Sequence, residues 1–132
     1  MIGIDTNLLL RLIVGDEPKQ VVAAREYLRD RCSADEPGYV CHIVLVELVW
    51  TLARAYGYPR EKIAAAIEQI LETAQLDVES SNDVVAALKD YRHGTADFAD
   101  CLLVRTNATS GCTHTVTFDR NAAKLKGFER LK

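Results

Sequence analysis

Apolar positions along this chain fall into two kinds of run, and they alternate. Residues 1–4 read as a short buried strand. Residues 8–14 are almost wholly apolar and read as a helix closed by Gly15. Glu17-Pro18 opens a second helix with a stripe of Val21, Ala24 and Leu28, because proline and an acid both suit a first turn. A polar loop over 33–38 leads to a strand at 39–41 and a helix over 43–56 that ends at Gly57. On that helix Ile43, Val46, Glu47, Trp50 and Arg54 share a face. Pro59 opens a helix in which Ile63, Ala66, Ile67, Ile70, Leu71 and Ala74 keep helical spacing. A strand at 76–79 follows, then a helix capped by Ser81 and striped by Val84, Leu88 and Tyr91. A loop through Gly94 and Thr95 enters the helix of Asp97, which stops at Gly111. The β-branched run 113–118, a short helix over 120–126 and a last strand at 128–131 complete the chain.

Short β-rich runs alternating with helices predict an α/β fold, a central and mainly parallel sheet of four or five short strands with helices on both faces. The chain shows no repeat, linker or low-complexity tract, so residues 1–132 are expected to form a single domain. In such sheets ligands bind beyond the carboxyl ends of the strands. Asp5 and Asp119 each stand just after a predicted strand.

The stretch Asp97-Phe98-Ala99-Asp100-Cys101-Leu102-Leu103-Val104 places two carboxylates three residues apart at a helix start, on one face. Taken separately, Asp5, Asp97 and Asp119 read equally well as helix caps. Glu47 does not, because it lies mid-helix between Ile43 and Trp50. If that face is buried, its charge needs an ion pair or a metal. Taken together, the acids gather at one rim of the sheet, where mutual repulsion calls for a cation or a shared proton. Hard divalent ions such as Mg²⁺ favour carboxylate and water oxygens. One or two of them can activate water and hold a phosphate oxygen, so phosphodiester hydrolysis needs no Ser, Cys or His nucleophile. The four carboxylates are then expected to converge, with at least one pKa raised when metal is absent.

Competing chemistries lack their motifs. No GxGxxG follows the first strand and no GxxxxGK[ST] occurs. His42, His93 and His114 lack the spacing of a triad or metal site, and Cys32, Cys41, Cys101 and Cys112 include no CxxC. The cysteines fall in core-like segments and read as reduced thiols of a cytoplasmic protein, with no signal peptide before the first strand and no run long enough to span a bilayer. Net charge is -3, which excludes a protein that coats nucleic acid non-specifically but not an enzyme that handles it briefly. From Arg120 on, Arg120, Lys124, Lys126, Arg130 and Lys132 face Glu129 alone, a solvated surface or a phosphate contact.

Four pieces, Ile4-Asp5-Thr6-Asn7, Val46-Glu47-Leu48, Phe98-Ala99-Asp100-Cys101 and Val116-Thr117-Phe118-Asp119, occur in an order and spacing that cover nearly the whole chain. In this ordered set the chain resembles PIN-domain ribonucleases, specifically VapC-type toxins of toxin–antitoxin pairs. The resemblance implies a PIN-like three-layer α/β/α fold and a carboxylate site of Asp5, Glu47, Asp100 and Asp119, with Asp5 and Asp100 on the metal. It implies supporting roles for Asn7 and Thr117 in orienting the acids or a metal-bound water, and for Asp97 a position that is often polar. It also implies Mg²⁺ or Mn²⁺, an RNA substrate cut internally, a homodimer, and neutralisation by a VapB-type antitoxin in a larger complex. Apolar residues of the early helices, notably Leu8, Leu9, Leu12, Val46, Val49 and Trp50, exceed what one small core needs and are expected to supply these interfaces. Two other readings share the pattern: a Mg²⁺-binding receiver-like signalling module, and a non-catalytic RNA-binding protein of PIN-like fold. The first would want an acid pair after the first strand and a lysine near 117–119; the second would usually have lost an acid.

Overall fold

The computed structural model describes the chain from Met1 to Lys132, which divides into two compact units, Met1–Glu79 and Ser80–Lys132. The first unit is built on three parallel strands, β1 (Ile2–Gly3), β2 (Gly38–Val40) and β3 (Leu76–Val78), hydrogen-bonded in the order β1-β2-β3. Parallel neighbours need long crossovers, and each here is a helix pair. Helices α1 (Thr6–Val14) and α2 (Pro18–Arg31) join β1 to β2, and α3 (His42–Arg54) and α4 (Arg60–Glu72) join β2 to β3.

Local sequence explains these boundaries. Gly15 ends α1 in the left-handed conformation (φ 72°), its N–H bonding back to Arg11 O. Pro18 is the first residue of α2, where a missing N–H costs nothing. Pro59 stands before α4 with extended backbone. The buried faces are aliphatic: Val44, Leu45, Leu48, Val49 and Leu52 on α3, and Ile63, Ala64, Ala66, Ile67 and Ile70 on α4. Beyond the sheet, His42 ties the ends of β2 and β3 together. Its backbone N–H donates to Glu79 Oε1 (2.9 Å), and its ring Nε2 lies 2.7 Å from Glu79 O.

The second unit pairs α5 (Ser81–His93) with α6 (Phe98–Thr109) and carries the parallel strands β4 (Thr115–Thr117) and β5 (Phe128–Arg130). Tyr91 and Phe98 meet edge to face with centroids 5.8 Å apart. Arg105 forks onto Asp90 through two bonds of 2.8 and 3.0 Å, and the Thr109 hydroxyl donates to Asp83 (2.6 Å). Gly127, just before β5, has φ 103°, and a Cβ there would come within 2.8 Å of Val104 on α6; only glycine meets both conditions.

Several expectations need correction. The strands form hydrogen-bonded sheets of three and two rather than one ladder, although every pairing is parallel as expected. Residue Ser81 does not cap α5; it is the first helical residue, and Ser80 precedes it in the left-handed region (φ 43°) without a side-chain cap bond. The helix expected over 120–126 is one 3-10 turn, Ala122–Lys124, because Gly127 and the start of β5 leave no room for a second turn. All four cysteines are free, but Cys112 is exposed and Cys41 half-buried, so only Cys32 and Cys101 lie in the core. No helix is long and apolar enough to cross a membrane.

Candidate metal-binding carboxylate site

In the first unit, Asp5 lies just beyond the carboxyl end of β1, at the N-cap position of α1, with extended backbone (φ -83°, ψ 157°). Its side chain makes no capping bond, so the capping explanation for this acid fails. The next residue, Thr6, is the buried polar residue of the chain (7% exposed) and donates its hydroxyl to Glu47 Oε1 across 2.6 Å. A short bond to a carboxylate holds Glu47 of α3 to the first residue of α1, beside Asp5. Sequence reasoning passed over Thr6; its place between Asp5 and Asn7 was the available signal. No hydrogen bond links Asn7 to an acid; it is exposed on α1.

The sequence expectation for Glu47 assumed a buried face, and that face is open. Glu47 is exposed, Ile43 is 73% exposed and Trp50 61%. The helical spacing placed these residues together correctly, but α3 buries the neighbouring stripe. Glu47 therefore avoids the cost of burying a charge, and its Thr6 bond orients it rather than rescuing it. The expected surplus of apolar residues shrinks likewise: Leu9 (2%) and Val49 (9%) are core, Leu8, Leu12 and Val46 are half-buried, and Trp50 alone of the six stands open.

In the second unit Asp97 occupies the N-cap position of α6 with extended backbone, again without a side-chain cap bond. Asp100 lies one turn on, half-buried in the first turn. Its carboxyl is held above the ordinary carboxylate range, first by burial, then by the charges of Asp119 and Asp97. Those two effects place the three acids of this unit within electrostatic reach of each other.

Asp119, just beyond β4, is held by its own turn. Its Oδ1 accepts the N–H groups of Asn121 (2.7 Å) and Ala122 (3.1 Å), while its own N–H donates to the Thr117 hydroxyl (3.0 Å). The capping reading of Asp119 is thus partly right: one oxygen caps the 3-10 turn, and Oδ2 takes no protein donor. Thr117 orients Asp119 through the backbone. A residue that sequence reasoning missed completes the frame. The Asn121 side chain donates to Thr95 O (2.8 Å), and the Thr95 hydroxyl donates to Asn121 Oδ1 (2.9 Å). Asn121 therefore holds the turn carrying Asp119 to the loop that enters Asp97 and α6.

These donors are carboxylate oxygens, the hard ligands of Mg²⁺-like ions, and Asp100 resists ionisation beside its neighbours as a site that wants a cation would. No three His, Cys, Asp or Glu side chains are gathered closely enough to hold a metal ion, so the expected convergence of the carboxylates is not seen.

Comparison with known proteins identifies the family. The PIN domain family matches residues 2–127. A VapC ribonuclease of Aquifex aeolicus (strain VF5) is 31% identical over 128 residues, spanning 97% of this chain and 93% of that protein. With a match over nearly its whole length, this protein belongs to the PIN domain family and groups there with the VapC ribonucleases.

Proposed function

We propose that this chain is a metal-dependent endoribonuclease toxin of the VapC type, with Asp5, Glu47, Asp100 and Asp119 as its carboxylates. The observation that carries the reading is the acidic group of the second unit: Asp97 uncapped at the start of α6, Asp100 one turn on and half-buried, and Asp119 held by its turn through Oδ1 alone, close enough for its charge to raise Asp100. Family membership supports the reaction class and removes the ground for a receiver-like module. The retention of all four acids supports catalysis over mere RNA binding.

A bound Mg²⁺ or Mn²⁺ would supply a nucleophilic water at neutral pH and offset charge on the scissile phosphate. The chain's own residues supply position. Thr6 fixes the Glu47 carboxylate, Thr117 and Asn121 fix Asp119, and Asp97 and Asp5 keep their oxygens free of their own helix starts. Preset geometry of this kind is how a site lowers a barrier without reorganising as charge develops.

The partners follow from the same kinship. A VapB-type antitoxin is the expected inhibitor. The groove between α1 and α2, lined by Leu8, Arg11, Gln20, Ala24 and Tyr27, is where we place its segment. A homodimer is proposed with it, and residues 1–132 are proposed to act as a single domain. The test is cleavage of RNA by the purified protein with Mg²⁺ or Mn²⁺, stopped by EDTA and absent from Asp100→Asn, with mapping of new RNA 5′ ends in cells that express each form. Cleavage that persists in EDTA and in Asp100→Asn would sink the reading.

A further inference from the structure

The two-stranded sheet of the second unit has one open face. Val116 is the central residue of β4, and Phe118 stands in the bend just past its end. The register sets Val116 opposite Glu129, and Leu131 follows just past the end of β5. His114, two residues before Val116, reaches Glu129 on the same side (2.7 Å). Phe118 is 73% exposed, Val116 51% and Leu131 41%. Isolated exposed apolar residues mean little, but these three lie on or just beyond the paired ends of β4 and β5, where the Leu131 N–H donates to Thr117 O (2.7 Å), and Phe118 immediately precedes Asp119 in the chain.

The charges of the segment that carries this face decide what it suits, although Arg130, opposite Thr117, belongs to the other side of the sheet. Arg120, Lys124, Lys126, Arg130 and Lys132 are all exposed, and none is held in an ion pair within the chain. The protein as a whole carries net charge -3, so this segment stands out as its cationic end. Protein–protein interfaces are depleted in lysine, and three of these five residues are lysines. Surfaces that bind single-stranded nucleic acid combine unpaired cations along the backbone path with aromatic faces on which bases stack.

We infer that Phe118 is a stacking platform for an unpaired RNA base, set in the exposed cationic segment that carries Arg120, Lys124, Lys126 and Lys132. The inference rests on the ribonuclease reading for its ligand and goes beyond it. It assigns a residue that positions substrate by stacking on one of its bases. A base on Phe118 anchors the strand beside Asp119, so the phosphate delivered to the carboxylates is that of a neighbouring nucleotide. Duplex RNA keeps its bases stacked on each other and cannot use this platform.

The test measures binding in EDTA, with cleavage off, by fluorescence anisotropy of a fluorescein-labelled single-stranded RNA and of the same sequence as a duplex. The proposal expects Phe118→Ala and Phe118→Leu each to raise the single-strand Kd by about 5- to 100-fold, the range of a lost base–aromatic stack. It expects Phe118→Trp to bind as wild type and duplex binding to be unmoved. The double variant Lys124→Ala, Lys126→Ala should flatten the slope of log Kd against log salt by about 0.7 for each phosphate that no longer meets a cation. Wild-type binding by Phe118→Leu overturns the platform, since leucine keeps the apolar surface and lacks the ring face. So does a Phe118→Ala protein whose oligomeric state changes in light scattering while its RNA affinity does not, because the face would then belong to a protein interface. Cleavage of the same RNA in Mg²⁺ is read separately. A protein that binds through Phe118 but never cuts retains the platform and loses the nuclease reading; one that cuts with Phe118 indifferent retains the nuclease and loses the platform.

Discussion

Thr6 and Glu47, forty-one positions apart in sequence, are joined by a 2.6 Å hydrogen bond from a buried hydroxyl to an exposed carboxylate. The hydroxyl cannot turn elsewhere without losing its partner inside the protein, so the bond fixes the carboxylate more than the threonine. Thr6→Val keeps the shape and removes the donor. Cleavage should fall by about 10- to 100-fold, the cost of a slightly misplaced catalytic group, with little change in KM for RNA. Thr6→Ser should recover most of it. Steady-state kinetics on one labelled RNA would separate the two variants.

Asp100→Asn should abolish cleavage and leave the metal-free protein at least as stable as wild type. Because its folded pKa is raised, folded protein holds this proton more tightly than unfolded protein does. In wild type the contribution of Asp100 to stability is therefore largest below the ordinary aspartate range. It is lost as pH rises from there through the raised folded pKa. Melting curves across that acidic window should show the loss in wild type and not in Asp100→Asn.

Mg²⁺ titrated into wild type should raise its melting temperature, as any ligand of the folded state does, by an amount equivalent to about 2.7 kcal/mol at one hundred times its Kd. EDTA should reverse the rise, and Asp100→Asn should show little of it. An equal shift in both proteins would place the ion elsewhere.

Asn121→Ala should weaken both the fold and the site. It deletes two hydrogen bonds to Thr95, each worth about 0.5–1.5 kcal/mol. It also frees the turn that carries Asp119. Urea unfolding should report a loss of about 1–3 kcal/mol. Activity should fall further than that loss explains when assayed where the variant is fully folded.

The two faces of α3 should respond oppositely. Leu52→Ala, at a site with no exposure, should cost about 2–5 kcal/mol. Trp50→Ala, at a site 61% exposed, should change stability by less than about 0.5 kcal/mol. Any effect of Trp50→Ala should appear instead in assembly, read by light scattering with and without the antitoxin.

The contrast on α3 also marks what the sequence could and could not tell. Helix ends were legible because Gly15, Pro18 and Pro59 have few other uses, and the order of strands and helices followed from their periodicities. The grouping of Ile43, Glu47 and Trp50 was legible too, since it depends only on helical pitch. Which way that face points was not. Helix α3 carries apolar residues nearly all the way round, so its pattern has no clear polar side, and the open stripe read as the buried one. The acids themselves stood out because their chemistry is specific. Their supports did not: Thr6 and Asn121 act through partners 41 and 26 residues away, and nothing local marks a threonine or asparagine for such work.

Asp5 and Asp97 stand at the starts of α1 and α6 and leave those starts uncapped. A side chain folded onto its helix contributes about 0.5–2 kcal/mol. The protein forgoes that contribution at two places. In a lineage released from its activity, serine or threonine at either site would gain stability at once, and drift should reach those codons early. Loss of acids there, with the hydrophobic core intact, would be the first visible trace of a relative that has stopped cutting.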